Sequence, residues 1–159
     1  HLAGVALERA SGARWQYIPY KGGVTAIQDT VAGQTQGLMN GMLATLPQVQ
    51  NGKLKVLGVS KSPRMPLIGD VPPIAEQGVA GYESGTWQGV LLPRGTPDAV
   101  VQKLNKALIT AIRAPEIRSR LAGQGAEVVT MTSTEQDQFF AKERARWASV
   151  VKAANIKLD

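Results

Sequence analysis

Short apolar segments rich in aromatic and β-branched residues alternate with amphipathic segments along the whole chain, with glycine or proline at most of the joints. That alternation is the strongest constraint on the fold. Residues 15–20 (WQYIPY), 36–41 (QGLMNG), 53–60 (KLKVLGVS), 86–93 (TWQGVLLP) and 126–131 (AEVVTM) read as strands. Between them, residues 1–11, 23–32, 43–50, 97–113, 115–121 and 133–154 place apolar side chains at helical spacing. Val24, Ile27 and Val31 form one such stripe; Val100, Val101, Leu104, Leu108 and Ile112 form another. Strands that alternate with helices predict an α/β fold with largely parallel strands.

The punctuation supports these boundaries. Gly12 and Gly33 stand where helices should stop. Thr96, Pro97 and Asp98 read as an N-cap, a first helical proline and a first-turn acid. Ser133 with Gln136 has capping-box spacing. Residues 62–85 are too rich in proline and glycine for a long element and read as a crossing between lobes, with one helical turn near 74–78. Phe140, Trp147, Val151 and Trp15 are expected in the core. The part after this crossing offers two strands for three helices, and the chain opens in mid-helix without methionine. Both features are what would be expected of a portion of a longer protein.

Composition narrows the chemistry. There is no cysteine and one histidine, His1, so thiolate catalysis, disulfides, a His-based metal cluster and a Ser/His/Asp triad are not expected, nor is any cofactor. No nucleophile elbow, phosphate loop or dinucleotide fingerprint occurs. An enzyme is therefore not expected. The formal charge of +6 comes from 18 scattered basic residues without interleaved aromatics, which reads as a solvated surface and not a nucleic-acid site. No apolar run is long enough to cross a bilayer.

What remains is the joint Tyr20-Lys21-Gly22-Gly23, where a strand hands over to a helix. Glycine lets a ligand approach the backbone, and the helix start offers unpaired N–H groups to an anion. Such a joint is also ordinary turn chemistry. Asn40-Gly41 ends the next expected strand and so falls at the same carboxyl edge, where open α/β sheets bind ligands. Trp87 follows Ser84, Gly85 and Thr86 at the entry to the second part, either as core packing or as a cleft wall. Tyr82 fits either a hinge or a cleft.

The segments HLAGVALERASG, YIPYKGG, GKLKVLGVS, DVPPIAEQGVAGYE, TWQGVLLPRGTPDAVVQKLNKAL and LAGQGAEVV, in that order over the whole chain, resemble the Bug family of solute-binding proteins. These are the TctC-related periplasmic receptors of tripartite tricarboxylate transporters. The resemblance implies a two-lobed, Venus-flytrap protein about twice this length, lacking here its N-terminal part. Residues 1–84 would be most of the second lobe, and 85–159 the returning portion of the first. It also implies a small carboxylate ligand, membrane permease subunits as partners, and no nucleic acid. The ligand-binding residues it points to are His1, Tyr20, Lys21, Gly22, Gly23, Asn40, Gly41, Thr86 and Trp87. Two departures stand out: the family often has an acid where this chain has Gln36, and Asp-Asn where it has Asn40-Gly41. An effector-sensing domain of a transcription regulator shares this architecture and is the alternative. With strands missing, helices 97–113 and 133–154 would expose apolar faces, so self-association is expected of the isolated chain.

Overall fold

Each helical segment expected from apolar spacing forms a helix. The computed structural model describes residues 1–61 and 64–156. Among them lie α1 (Leu2–Ser11), α2 (Gly23–Val31), α3 (Met42–Gln50), α4 (Asp98–Arg113), α5 (Pro115–Gly123) and α6 (Ser133–Ala153), with 3-10 turns at Pro66–Ile68 and Ile74–Gln77. The crossing expected over 62–85 begins at Ser62 and Pro63, which lie outside the described residues, as does the chain end beyond Ile156.

Helix ends show why the boundaries fall where they do. After α2 and α3 the chain turns left-handed at Gly33 (φ 79°) and Gly52 (φ 67°). The Gln34 N–H then donates back to Asp29 O, and the Lys53 N–H to Gln48 O, each at 2.8 Å. This Schellman closure satisfies carbonyls that would otherwise be left over. The start of α6 is closed by a full capping box, but one residue earlier than expected. Thr132 Oγ1 accepts from the Glu135 N–H at 3.2 Å, and Glu135 Oε2 accepts from the Thr132 N–H at 2.8 Å. Both pairs have the required spacing, and a carboxylate is a stronger acceptor than the Gln136 carboxamide. Thr96 does not cap α4: its hydroxyl donates to Pro93 O at 2.8 Å, and Pro97 takes the cap position.

The expected strands form no ladder among the described residues. One isolated parallel bridge joins Val59 to Pro73, with the Ile74 N–H donating to Val59 O at 2.8 Å. The reason is physical: an apolar pattern marks a segment able to pair, but a ladder needs a second backbone opposite it.

The chain divides into two compact units, His1–Thr86 and Trp87–Asp159. In the first, Val5, Ala26, Ile27, Leu46 and Tyr82 are buried. Burying a side chain such as Ile27 contributes about 1.5–3 kcal/mol. The stripe expected on α2 is rotated: Ala26 and Ile27 face inward, while Val24 remains 66% exposed. Trp15, expected in the core, is also exposed. Ser60 and Ser84 clasp each other, the Ser84 N–H donating to Ser60 O at 2.7 Å and Ser60 Oγ to Ser84 O at 2.8 Å.

In the second unit α4 packs on α5 and α6. Asn105 Nδ2 donates to Met131 O at 3.2 Å, and Arg113 donates to Thr130 Oγ1 at 2.9 Å. The Trp147 indole N–H donates to Glu143 at 3.0 Å. Phe140, Trp147 and Val151 are only half-buried, and no described residue of this unit is fully buried. Val100, Leu104 and Leu108, on successive turns of α4, all stay exposed.

Candidate functional site

The helix starts of the two units are chemically opposite. In the second unit each has an acid in its first turn: Asp98 in α4, Glu116 in α5 and Glu135 in α6. In the first unit no α-helix does, although the 3-10 turn at Ile74–Gln77 has Glu76. The cap residues of α1, α2 and α3 are His1, Gly22 and Gly41; no side chain caps any of the three starts, and no first turn contains an acid. Each start therefore keeps unpaired N–H groups and about half a positive charge.

Side chains link these starts. An ideal Cβ on Gly23 would lie 2.9 Å from both Nδ2 and Oδ1 of Asn40, so the Asn40 carboxamide rests directly on the first residue of α2. A Cβ on Gly41 would meet Thr86 Oγ1 at 3.4 Å. The first turn of α1 is joined to the same region through Tyr82, whose hydroxyl donates to Ala3 O at 2.9 Å and lies 3.6 Å from Met39 Sδ. This settles the open choice for Tyr82: it is a buried strut. His1 stacks on Tyr17 with ring centroids 4.7 Å apart.

The neighbouring acids are held by tyrosines. Tyr20 donates to Asp29 Oδ2 at 2.8 Å, fastening the chain before the Lys21-Gly22-Gly23 joint to the body of α2. Its phenol titrates above the ordinary range, chiefly through this hydrogen bond. Tyr17 donates to Glu8 Oε2 at 2.9 Å. Burial first, and that hydrogen bond second, push the Tyr17 phenol up to about 12. Both hydroxyls are thus neutral donors at physiological pH, each engaging one carboxylate oxygen.

Of the residues singled out in the sequence, Gly23 and Asn40 meet, as do Gly41 and Thr86; Lys21 and Gly22 lie exposed at the start of α2. The Tyr20 hydroxyl is spent on Asp29. Trp87 belongs to the second unit, 46% exposed, with its ring 5.8 Å from Phe139 and 4.8 Å from Phe140. The Tyr17–Glu8 and Tyr20–Asp29 pairs went unnoticed in the sequence. The signal was weak, since both join residues nine apart across a helix end.

A cleft of about 540 Å³ is lined by Val49, Lys53, Leu54, Val56, Ile68 and Val71, and a smaller one of about 160 Å³ lies beside Pro73 and Tyr82; neither is lined by Lys21, Gly22, Gly23, Asn40 or Gly41. No helix among the described residues is long and apolar enough to cross a membrane, and no described cluster of His, Asp or Glu has a metal-binding arrangement.

The profile of the tripartite tricarboxylate transporter family receptor, TctC, matches residues 1–156. Protein BugT of Bordetella pertussis is 31% identical over 158 residues, which are 99% of this chain and 48% of BugT. The solved structure of R. palustris Rpa4515 with adipate superposes with a TM-score of 0.90 at 30% identity, covering 98% of this chain and 52% of that one. MatC (Rpa3494) from Rhodopseudomonas palustris with bound malate gives 0.81 at 30% identity, covering 94% and 52%. The chain spans about half the length of each of these proteins. End to end, and in backbone as well as sequence, it belongs to the TctC family of tripartite tricarboxylate transporter receptors.

Proposed function

We propose that this chain supplies the anion-binding edge of a periplasmic receptor that captures a small carboxylate and presents it to the permease subunits of a tripartite tricarboxylate transporter. One observation carries the reading: the starts of α1, α2 and α3 are all without a capping side chain or a first-turn acid, and Asn40 bridges two of them. In the other three α-helices the chain supplies a first-turn acid from its own sequence. Here it leaves that to a ligand. Similarity to proteins solved with adipate and with malate supports a carboxylate as that ligand. An effector-sensing regulator domain is not favoured by these neighbours.

Gly22, Gly23 and Gly41 would bring backbone N–H groups to the carboxylate, with Lys21 adding positive charge and Asn40 and Thr86 adding polar contacts. His1, Tyr20 and Trp87 complete the proposed set, Tyr20 acting by fastening the joint. Two charge-assisted hydrogen bonds are worth about 1.5–3 kcal/mol each, and helix dipoles add about 1 kcal/mol. Their sum, roughly 4–7 kcal/mol, falls short of the approximately 8.2 kcal/mol of micromolar affinity. Contacts from Lys21, Asn40 and Thr86, and from any surface that closes over the ligand, would make up the difference. This fits a receptor in which residues 1–84 are most of one lobe and 85–159 part of the other. No bond is made or broken.

Calorimetric titration of the complete gene product with C4 to C6 dicarboxylates, citrate and aromatic acids tests the reading. Saturable heat from at least one acid is expected. Silence across the panel would refute it.

A further inference from the structure

The dipeptide Asn-Gly occurs twice, at Asn40-Gly41 and Asn51-Gly52, and the fold treats the two copies differently. Chemically this pair is self-reactive. The backbone nitrogen of the second residue attacks the side-chain Cγ of the first, and glycine, having no Cβ, leaves that approach open.

Asn51 caps the C-terminal end of α3, where the backbone is engaged. The Asn51 N–H donates to Pro47 O and the Gly52 N–H to Val49 O, each at 3.0 Å, and Gly52 is left-handed at φ 67°. The Gly52 nitrogen, the attacking atom, therefore has to give up a hydrogen bond and the helix closure before it turns towards Asn51 Cγ. Asn40 stands at the opposite end of the same helix. Gly41 is the N-terminal cap residue of α3, in extended conformation (φ −67°, ψ 140°), and its N–H donates to no described residue. The Asn40 carboxamide is exposed and makes no hydrogen bond with any described residue. Both reacting groups are free. The other two asparagines are poorer candidates: Asn105 lies within α4 with Nδ2 donating to Met131 O at 3.2 Å, and Asn155 is followed by the branched Ile156.

We propose that Asn40-Gly41 is a site of spontaneous deamidation, which turns the carboxamide resting on Gly23 into a carboxylate. The Gly41 nitrogen bonds to Asn40 Cγ, the bond from Cγ to Nδ2 breaks, and ammonia leaves with the proton lost by the Gly41 nitrogen. Water then opens the resulting succinimide at either carbonyl, giving aspartate or isoaspartate; nothing is oxidised or reduced. A further consequence, unlike the conversion itself, rests on the carboxylate-receptor reading: the new negative charge lies at the edge that binds the anion, so conversion lowers affinity.

The complete gene product, aged in mildly alkaline buffer and mapped by peptide mass spectrometry, tests this. Position 40 should convert, with isoaspartate among the products, at least about five-fold faster than position 51, the worth of one hydrogen bond at Gly52. In the urea-unfolded chain, where that turn is gone, the two should convert at similar rates. Equal rates in the folded protein, or an Asn40 that stays intact while the unfolded chain converts, overturn the assignment. Asn40→Asp should bind the acids of the calorimetric panel about five-fold or more weakly, the effect of a like charge within about 4 Å in water. Undiminished affinity in that variant removes the effect on capture and leaves the conversion standing. If the unaltered protein binds no acid, the receptor reading falls, and the conversion is still decided by mass.

Discussion

Gly23→Ala separates the stability of α2 from its role in binding. The added methyl would lie 2.9 Å from both polar atoms of Asn40, closer than real Cβ contacts allow, so something must shift. Asn40 is exposed, and its side chain can swing away at a rotamer cost of about 0.5–1.5 kcal/mol. Against this, alanine is favoured over glycine by about 0.8–1.0 kcal/mol in a helix interior, and by less at the first position of α2, where Gly23 stands. The two effects nearly offset, so urea unfolding should shift by less than about 1 kcal/mol. Binding should behave otherwise, because the methyl displaces the carboxamide and crowds the N–H groups at the start of α2. Losing one charge-assisted hydrogen bond, about 1.5–3 kcal/mol, corresponds to a loss of roughly 10- to 150-fold in carboxylate affinity by calorimetry. Unimpaired affinity would refute the reasoning. So would destabilisation beyond about 2 kcal/mol, which would show that Asn40 is locked in place by the fold.

Thr132→Ala removes half of the capping box of α6 and should cost about 1 kcal/mol in urea unfolding. The Glu135 carboxyl titrates below its ordinary range, because it accepts from the Thr132 N–H and then from the hydroxyl. Its stabilisation is therefore present above the usual carboxylate range and lost as pH falls through the lowered value; in Glu135→Gln, unfolding should lose that acid-side slope. Tyr17 has the opposite sign: its neutral phenol is favoured in the fold, so its contribution is whole below pH 10.0 and lost as pH rises through about 12. Ultraviolet titration should show both Tyr17 and Tyr20 ionising late, with one of the two removed in Tyr17→Phe; ordinary titration of Tyr17 would contradict its burial and its Glu8 contact. The exposed Val100, Leu104 and Leu108 face of α4 predicts that the 159-residue chain alone self-associates. A light-scattering mass of one chain across the micromolar range would count against it.

Local signals were enough for the helices. Apolar spacing places α1 to α6, and Gly33 and Gly52 stop α2 and α3 because glycine bears the left-handed turn without strain. The conspicuous joint at Lys21, Gly22 and Gly23 was equally legible. Faces were less so: Val24, Ile27 and Val31 satisfy the helical period, yet Val24 points to solvent, because periodicity defines a stripe and not what stands opposite it. The strand-like segments fared similarly, since pairing belongs to two backbones and a sequence names one at a time.

Sequence alone thus determined where the helices lie, to within a residue or two of their ends, and the family to which the chain belongs. These depend on residues adjacent or one turn apart, or on residue types simply present or absent. Only the tertiary structure decided that Asn40 lies on Gly23, that Thr86 meets Gly41, and that Tyr82 braces Ala3 from 79 positions away. Those contacts depend on α2 packing against α3 and on the burial of Ile27, Leu46 and Tyr82, and packing is a property of the assembled core that no local pattern encodes.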